Sequence, residues 1–423
     1  MEFQKETLSN GVRILTAPLH ETKAMTLLLL VGTGSRFETP RQNGISHFLE
    51  HILFKGTEKY PGPQILAEVL DGIGANFNAY TSEEYTGFYV NAAAEHFPLA
   101  LDVLHQMFYH PRYAHEDIER EKGVIDEEIN MYRDLPQRHV FDLLKSLMYG
   151  QTPMGRNVAG EHETVNAFGK TDFEDYQRSW YTPDNLIVSM AGNPLKHHWT
   201  NELTELFGSK TGTKAGVFDP LKYQQSDPRV NIQFKATDQT HIALAIPTIQ
   251  ETDPLMPVQS VLHTILGGSM SSRLFNEVRE QRGLAYYVRS SQDSYHDVGS
   301  LIISAGVRNA SAKEAIEVIL TQLSKLVAER VTAKELVKAK ENFRGSLALQ
   351  LEESSEIATY LASQELYHRQ QFQPEELVAK IQAVTAGQVQ DFAHTYIQKE
   401  LLNLAAVGPF KESDFQPLLE KAL

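Results

Sequence analysis

The heptapeptide HFLEHIL, His47–Leu53, returns in altered form as SVLHTIL, Ser260–Leu266. Two longer segments repeat in the same order: EYTGFYVNAA (84–93) matches DVGSLIISAG (297–306), and the helical segment 97–129 matches 312–347. Between the copies, residues 208–228 carry glycine, proline and polar residues without periodicity, as linkers do. These patterns predict an α+β fold of two homologous domains, 1–215 and 216–423, each an antiparallel sheet with helices packed on one face.

Composition and charge exclude several functional classes. The 423 residues contain no cysteine, which rules out thiolate metal sites and disulfides, while 16 histidines remain as possible ligands. The net charge of -15 argues against a nucleic-acid-binding surface. The longest apolar run, AMTLLLLVG (24–32), is too short to cross a bilayer, and the N-terminus resembles neither a secretory signal nor a transit peptide. We therefore expect a cytoplasmic protein without nucleic-acid or membrane partners.

Three polar side chains interrupt the first copy of the repeat. His47, Glu50 and His51 stand at positions i, i+3 and i+4 of a helix predicted over Ile45 to Phe54, so they share one face. Two imidazoles at this spacing can bind one metal ion, and Glu50 can reach a water beside it, which is the zincin arrangement in reverse. The fold itself does not require the triplet, because the second copy has Ser260, His263 and Thr264. A catalytic zinc site needs a third protein ligand.

A charged segment downstream offers that ligand. The sequence EDIEREKGVIDEEINMY (116–132) predicts a helix whose apolar stripe comprises Ile118, Ile125, Ile129 and Tyr132. Glu121 and Glu128 fall in the same stripe. Burial of unpaired carboxylates is costly, and a metal ion with a supporting partner removes that cost. Both glutamates are therefore candidates for a metal centre.

The combination of HFLEH with EREKGVIDEEI resembles the inverzincin peptidases, which include pitrilysin, insulin-degrading enzyme and mitochondrial processing peptidase. The resemblance implies that His47, His51 and Glu128 bind one Zn²⁺ per chain, that Glu50 is the general base, and that Glu121 is a second carboxylate supporting the ligands. The length fits the short, bacterial-type members with two domains per chain. Mn²⁺ or Co²⁺ could occupy the same ligands.

Two further segments extend the resemblance over nearly the whole chain. NAYTSEEYTGFYV (78–90) is similar to the family's substrate-aligning edge strand, which implies that Asn78 and Ala79 contact the peptide backbone. GGSMSSRLFNEVREQRGLAYYV (267–288) is similar to the family's second signature. Its Arg279 and Tyr286 would hold the substrate and stabilise the developing oxyanion.

The resemblance implies a zinc-dependent endopeptidase that hydrolyses peptides or unfolded segments, bound as an added strand inside a dimeric chamber. A homodimer is the simpler assembly, since this chain carries both the zinc set and the Arg279–Tyr286 pair. Two alternatives remain open. One is a non-catalytic core or scaffold subunit, against which the intact metal site weighs, and the other is the catalytic half of a heterodimeric processing peptidase.

Overall fold

The structure is a computed structural model that describes residues 2–422. The strands are β1 (Gln4–Thr7), β2 (Arg13–Pro18), β3 (Ala24–Val31), β4 (Asn76–Thr81), β5 (Thr86–Ala93), β6 (Leu186–Gly192), β7 (Arg229–Phe234), β8 (Gln239–Thr248), β9 (Ala285–Ser294), β10 (Gly299–Arg308) and β11 (Asn403–Gly408). The α-helices are α1 (Ile45–Leu53), α2 (Pro63–Asp71), α3 (Phe97–Tyr109), α4 (His115–Asp134), α5 (Pro136–Tyr149), α6 (His162–Ala167), α7 (Lys170–Trp180), α8 (Trp199–Phe207), α9 (Met256–Leu266), α10 (Ala312–Ala328), α11 (Ala333–Gln350), α12 (Ser354–His368), α13 (Pro374–Ala383), α14 (Ala386–Tyr396) and α15 (Gln416–Glu420). The predicted metal-binding helix is α1.

The strands form two sheets, one from each half of the chain. The first has the order β1-β2-β6-β3-β5-β4, and the second has the order β7-β11-β8-β10-β9. The equivalent strands β4 and β9 each lie at an edge. Most neighbours are antiparallel, but β2 pairs with β6 and β7 pairs with β11 in parallel. The α+β fold of two homologous domains is thus confirmed, with one parallel pair in each sheet that the prediction lacked.

Two helices exchange places between the halves of the chain. One compact unit comprises the residues up to 130 together with 156–219 and 348–371; the other comprises 131–155, 220–347 and the residues from 372 onward. The chain crosses from the first unit to the second between residues 219 and 220, near the predicted boundary at 215/216. However, α5 joins the second unit and α12 joins the first, so each compact unit includes one helix from the other half of the chain.

The exchanged helices cover the second face of each sheet, in addition to the helices that the prediction placed on one face. In β3, Leu27 and Leu29 face the core that contains Phe48 of α1, whereas Leu28 and Leu30 face the opposite way and pack with the apolar side of α12. In the second unit, α5 packs on β8 and β11 in the same manner. A strand buried on both faces has a continuous apolar run, and this explains the uninterrupted leucines of β3. Within residues 2–422, the helices lack the length and hydropathy of a membrane span.

Candidate metal centre and the edge strand beside it

Two histidines of α1 and a glutamate of α4 lie close together in the first unit. Nε2 of His47 lies 3.7 Å from Oε2 of Glu128, and Nε2 of His51 lies 3.5 Å from the same oxygen. The two imidazole rings are 4.6 Å apart between centroids. Within residues 2–422, these three side chains form the one group of His, Cys, Asp or Glu ligand atoms close enough together to hold an ion.

The spacing of these atoms fits a tetrahedral ion. With zinc–ligand bonds of about 2.0–2.1 Å, the ligand atoms of a tetrahedral site lie roughly 3.3 Å apart. The observed separations of 3.5 and 3.7 Å are close to this value and too long for direct hydrogen bonds. Two imidazoles and one carboxylate also match the donor set of catalytic zinc sites, which keep a further position open. The residues predicted as ligands therefore fit zinc in both chemistry and geometry.

Glu50 is held by the edge strand rather than by its own helix. The hydroxyl of Thr81, the last residue of β4, donates to Oε2 of Glu50 at 2.5 Å. Burial raises the pKa of Glu50, and the Thr81 hydrogen bond and the nearby His51 oppose that rise in part. A raised carboxyl pKa suits a general base, because proton transfer is most efficient when the pKa of the base lies near the working pH. The sequence analysis did not identify Thr81.

Glu121 supports the second histidine, in the position that the resemblance implied. Its side chain is 2% exposed, and its Oε1 lies 2.8 Å from Nδ1 of His51. Its Oε2 lies 2.7 Å from Nζ of Lys55. Burial alone would raise the pKa of Glu121, but the hydrogen bonds from His51 and Lys55 outweigh burial and lower it. The sequence analysis missed Lys55, although a lysine four residues after a ligand histidine was a visible signal.

The two histidines have opposite electrostatic environments. Burial and the neighbouring His51 lower the pKa of His47 to about 4. For His51, burial is outweighed by the hydrogen bond with Glu121 and by the charge of Glu128, so its pKa is raised. A metal ion bound at Nε2 of His51 would compete with a proton for that atom, so metal affinity would fall in acid.

The start of α1 is fixed by a buried carboxylate that the sequence analysis also missed. Glu38 is 3% exposed, and its two oxygens accept the backbone N–H groups of Gly44 at 2.8 Å and Ser46 at 2.9 Å. Burial raises the pKa of Glu38 to about 7, although these hydrogen bonds act in the opposite direction. Because the first N–H groups of a helix have no partner within the helix, Glu38 anchors the turn from which His47 projects.

The predicted peptide-aligning residues lie on β4. This strand is bonded on one side to β5, and its other side is the edge of the sheet. Asn78 is exposed, and its Oδ1 accepts the N–H of Ala79 at 2.9 Å. Ala79 is 8% exposed, so its backbone is the part that can contact a ligand. The free edge ends at Thr81, beside Glu50.

Arg279 and Tyr286 belong to the second unit, whereas the metal-binding side chains belong to the first. Arg279 lies in a π-helical turn, Phe275–Glu280, with its guanidinium 4.8 Å from the Phe275 ring centroid. Tyr286 is 78% exposed and sits on β9 at a register shift, where Ala285 pairs with Val307 and Tyr287 pairs with Gly306. π-Helical turns and β-bulges are both frequent at functional sites.

In the second copy of the repeat, the residues at the positions equivalent to the metal site form hydrogen bonds within the protein. Nδ1 of His263 lies 2.8 Å from Oγ of Ser290, and the Thr264 hydroxyl donates to the Ser260 carbonyl at 2.8 Å. The asymmetry between the copies, which the sequence predicted, is therefore present in the structure.

Comparison with known proteins identifies the class that this fold and site define. The family described as Insulinase (Peptidase family M16) matches residues 13–162, and the family described as Peptidase M16 inactive domain matches residues 167–343. The chain belongs to the M16 metallopeptidases, the pitrilysin-like family, as a short two-domain member of the bacterial type. The resemblance inferred from the motifs is confirmed.

Individual relatives are named as zinc proteases and match this chain along most of their own length. The "Uncharacterized zinc protease YmxG" of Bacillus subtilis is 36% identical over 96% of this chain and 98% of its own. A protein of Streptomyces coelicolor, also named as a zinc protease, is 33% identical over 97% of this chain and 90% of its own. Zinc use is thus a property of the relatives' family.

Solved structures support the fold. A protease from Helicobacter pylori superimposes with a TM-score of 0.89 at 20% identity, covering 96% of this chain and 99% of the other. A peptidase M16 inactive domain from Pseudomonas fluorescens gives a TM-score of 0.90 at 18% identity, covering 97% of this chain and 98% of the other.

Proposed function

We propose that this protein is a zinc-dependent endopeptidase that hydrolyses peptides or unfolded segments of proteins, with one Zn²⁺ held by His47, His51 and Glu128 of each chain. The observation that carries the proposal is the contact between Thr81 and Glu50. It joins Glu50, which shares α1 with His47 and His51, to the end of the edge strand β4. This contact supports a site in which the proposed metal ligands, base and strand-binding edge act together.

Each residue has a distinct task in the proposed reaction. When bound, a zinc ion supplies Lewis acidity that polarises a carbonyl and acidifies water. Glu50 accepts the proton of the attacking water and then delivers it to the nitrogen of the leaving amine. Arg279 and Tyr286 stabilise the negative charge that develops on the carbonyl oxygen.

The substrate is proposed to bind in an extended conformation along β4. An extended peptide can add a strand to an exposed edge, and main-chain hydrogen bonds then supply affinity without sequence preference. Asn78 and Ala79 are the residues we propose to contact that peptide. A peptide in this position leads towards Glu50, because β4 ends at Thr81.

We propose a homodimer that encloses the substrate, as the family resemblance implied, and a cytoplasmic location. In such a dimer, Arg279 and Tyr286 of one chain serve the zinc set of the partner. The inactive variants Glu50→Gln and Tyr286→Phe, mixed under conditions of subunit exchange, should then regain activity, because a mixed dimer contains one intact site. Continued inactivity after demonstrated exchange would reject the shared site.

The proposed chemistry is tested by comparing Glu50→Gln with Glu128→Gln. Glu50→Gln should retain zinc and lose peptide hydrolysis, since the ligands remain and the base is absent. Glu128→Gln should lose zinc together with activity, because an anionic ligand is removed. Metal analysis and a fluorescent peptide assay on the same samples measure both effects. Near-normal turnover by Glu50→Gln would refute the mechanism.

A further inference from the structure

Lys55 is joined to a metal ligand through a single buried carboxylate. The residue follows α1, and its backbone N–H donates to the Ile52 carbonyl at 3.0 Å. Its Nζ lies 2.7 Å from Oε2 of Glu121, whose Oε1 lies 2.8 Å from Nδ1 of His51. The carboxylate is therefore bound at both oxygens, and it connects Lys55 with the predicted ligand His51.

We propose that Lys55 is a positioning residue of the metal centre: by holding Glu121 at one oxygen, it fixes the imidazole of His51 with Nδ1 as donor and Nε2 directed to the ion. This inference rests on the proposed function and deepens it. Among the described residues, the polar contacts of Lys55 are with the Glu121 carboxylate and the Ile52 carbonyl.

The arrangement depends on the burial of the Glu121 carboxylate. The Glu121 side chain is 2% exposed and that of Lys55 is 27% exposed, so the ammonium group remains partly hydrated while it pairs with a buried anion. Removal of one partner of a buried ion pair leaves an uncompensated charge, which is strongly unfavourable. Without Lys55, Glu121 would have to rotate towards water or recruit another donor. Either change releases the contact that orients His51.

The other histidine cannot compensate for such a loss. Nδ1 of His47 is buried, and no hydrogen-bond partner for it exists within residues 2–422. Ligand histidines usually donate their second nitrogen to a partner that fixes the ring, and loss of that partner lowers metal affinity by about 10–100-fold. Among the described residues, only the His51 ring of this site has such a partner. The orientation of the predicted ligand rings therefore depends on the Glu121–Lys55 pair more than is usual.

A neighbouring lysine provides a matched control. Nζ of Lys59 lies 2.7 Å from Oδ2 of Asp102, the same separation as in the Lys55–Glu121 pair. That pair is more exposed, with 54% of the Lys59 side chain and 32% of the Asp102 side chain accessible. The Tyr60 hydroxyl also donates to Asp102. Lys59→Met therefore removes the same charge from the same segment without touching the His51 support.

The test measures zinc affinity of the full-length protein by competition with a chromophoric chelator, without any peptide. Lys55→Met should weaken zinc binding by about 10–100-fold. Lys55→Arg should bind zinc close to wild type, because a guanidinium can also bind the carboxylate, and Lys59→Met should equal wild type. Zinc affinity of Lys55→Met within twofold of wild type would overturn the proposal. If Lys55→Met does not fold, as judged by circular dichroism, Lys55→Gln takes its place under the same criteria.

A double-mutant cycle separates positioning from a general structural role. If Lys55 acts through Glu121, then Lys55→Met should change zinc affinity little when Glu121→Gln is already present. Full additivity of the two substitutions would overturn the proposed route. In the zinc-free protein, ¹⁵N NMR of the His51 ring should show the Nδ1–H tautomer in wild type and a reduced fraction in Lys55→Met.

These results can be distinguished from failure of the proposed function. Wild-type protein that binds zinc but cleaves no peptide would reject the endopeptidase, while the affinities of the Lys55 variants would still decide the inference. Wild-type protein that binds no zinc would reject both.

Discussion

Through a single hydrogen bond, Thr81 connects the edge strand proposed to bind substrate with Glu50, the proposed base. Its hydroxyl lies 2.5 Å from the Glu50 carboxylate, while its backbone belongs to β4 and pairs with Thr86. In the proposed reaction, the same residue would fix Glu50 relative to a peptide bound along β4. This contact links two features that are separate in the sequence.

We predict that Thr81→Val lowers kcat for peptide hydrolysis about tenfold, since a hydrogen bond to a charged group contributes about 1.5–3 kcal/mol. Zinc content should remain unchanged, because Thr81 does not contact the predicted ligands. Thr81→Ser retains the hydroxyl and is the control, with near wild-type kcat expected. Steady-state kinetics with metal analysis decides the matter, and an unchanged kcat in Thr81→Val would contradict the assignment.

At the scale of elements, the start of α1 depends on a close approach of two backbone segments. Gly44 has a φ of +94°, and a Cβ there would lie 2.8 Å from the Ala159 carbonyl oxygen and from Cα of Gly160. Only glycine satisfies both the left-handed conformation and this contact. The loop at residues 159–160 thus sets the position of the helix that carries His47.

Gly44→Ala should therefore displace the first turn of α1, lower the unfolding free energy by about 1–3 kcal/mol and weaken zinc binding at least tenfold. The control is Gly123→Ala, in the middle of α4, where a Cβ would meet nothing within 4 Å. That substitution should raise the unfolding free energy by up to about 1 kcal/mol, because alanine favours helix. Thermal unfolding and chelator competition measure both variants. Equal behaviour of the two would contradict the packing argument.

The beginning of α11 is stabilised by a charged cap. Glu335 accepts the backbone N–H of Thr332 at 2.8 Å and bonds to Arg273 at 2.7 and 3.1 Å. Burial alone would raise the pKa of Glu335, but the Arg273 and Thr332 hydrogen bonds lower it to about 2. This pairing ties the helix to the helical residue Arg273, just before the π-helical turn Phe275–Glu280.

The lowered pKa predicts a defined pH dependence of stability. An unfolded glutamate titrates near 4.3, so the stability from Glu335 is complete above about pH 5 and is lost as the pH falls towards 2. Glu335→Gln should lower the unfolding free energy by about 1 kcal/mol at pH 6, and the difference from wild type should shrink at pH 3. Urea unfolding at both pH values measures this. Glu341→Gln removes an exposed ion pair on the same helix and should have little effect at either pH. A pH-independent difference for Glu335→Gln would refute the pairing.

At the scale of the whole molecule, neither half of the chain contains all the elements of its own unit. The outer face of the first sheet packs with α12, whose Ile357 and Leu361 are 2% and 0% exposed. On the same helix, Glu365 is buried and lies 2.7 Å from Nζ of Lys5. A polypeptide without α12 would expose this apolar face and leave the ion pair unmade.

We predict that a fragment ending at Asp219 aggregates when produced alone, because exposed apolar faces of this kind drive association. Co-expression with the fragment from Pro220 onward should restore a soluble complex, since that fragment brings α12. Size-exclusion chromatography of each sample is the measurement. A monodisperse and folded fragment 1–219 would show that the exchanged helix is dispensable.

The sequence by itself determined the set of candidate site residues and the repeated plan of the fold. The spacing of His47, Glu50 and His51 is local, because residues at i, i+3 and i+4 share a helical face wherever the helix lies. The placement of Glu121 in an apolar stripe indicated a buried carboxylate, which the structure shows. Repetition of helix and strand patterns likewise predicted two related domains without reference to any contact.

Only the tertiary structure decided which distant residues meet. The hydroxyl of Thr81 reaches Glu50, Lys55 pairs with Glu121, and α5 and α12 cover the sheets of the opposite halves. Periodicity reports which face of an element is apolar but not which partner covers it. The continuous leucines of β3 are buried on both faces, and a helix more than 300 residues away supplies the second cover. These contacts join residues far apart in the chain, and their identity follows from the packing of the complete fold.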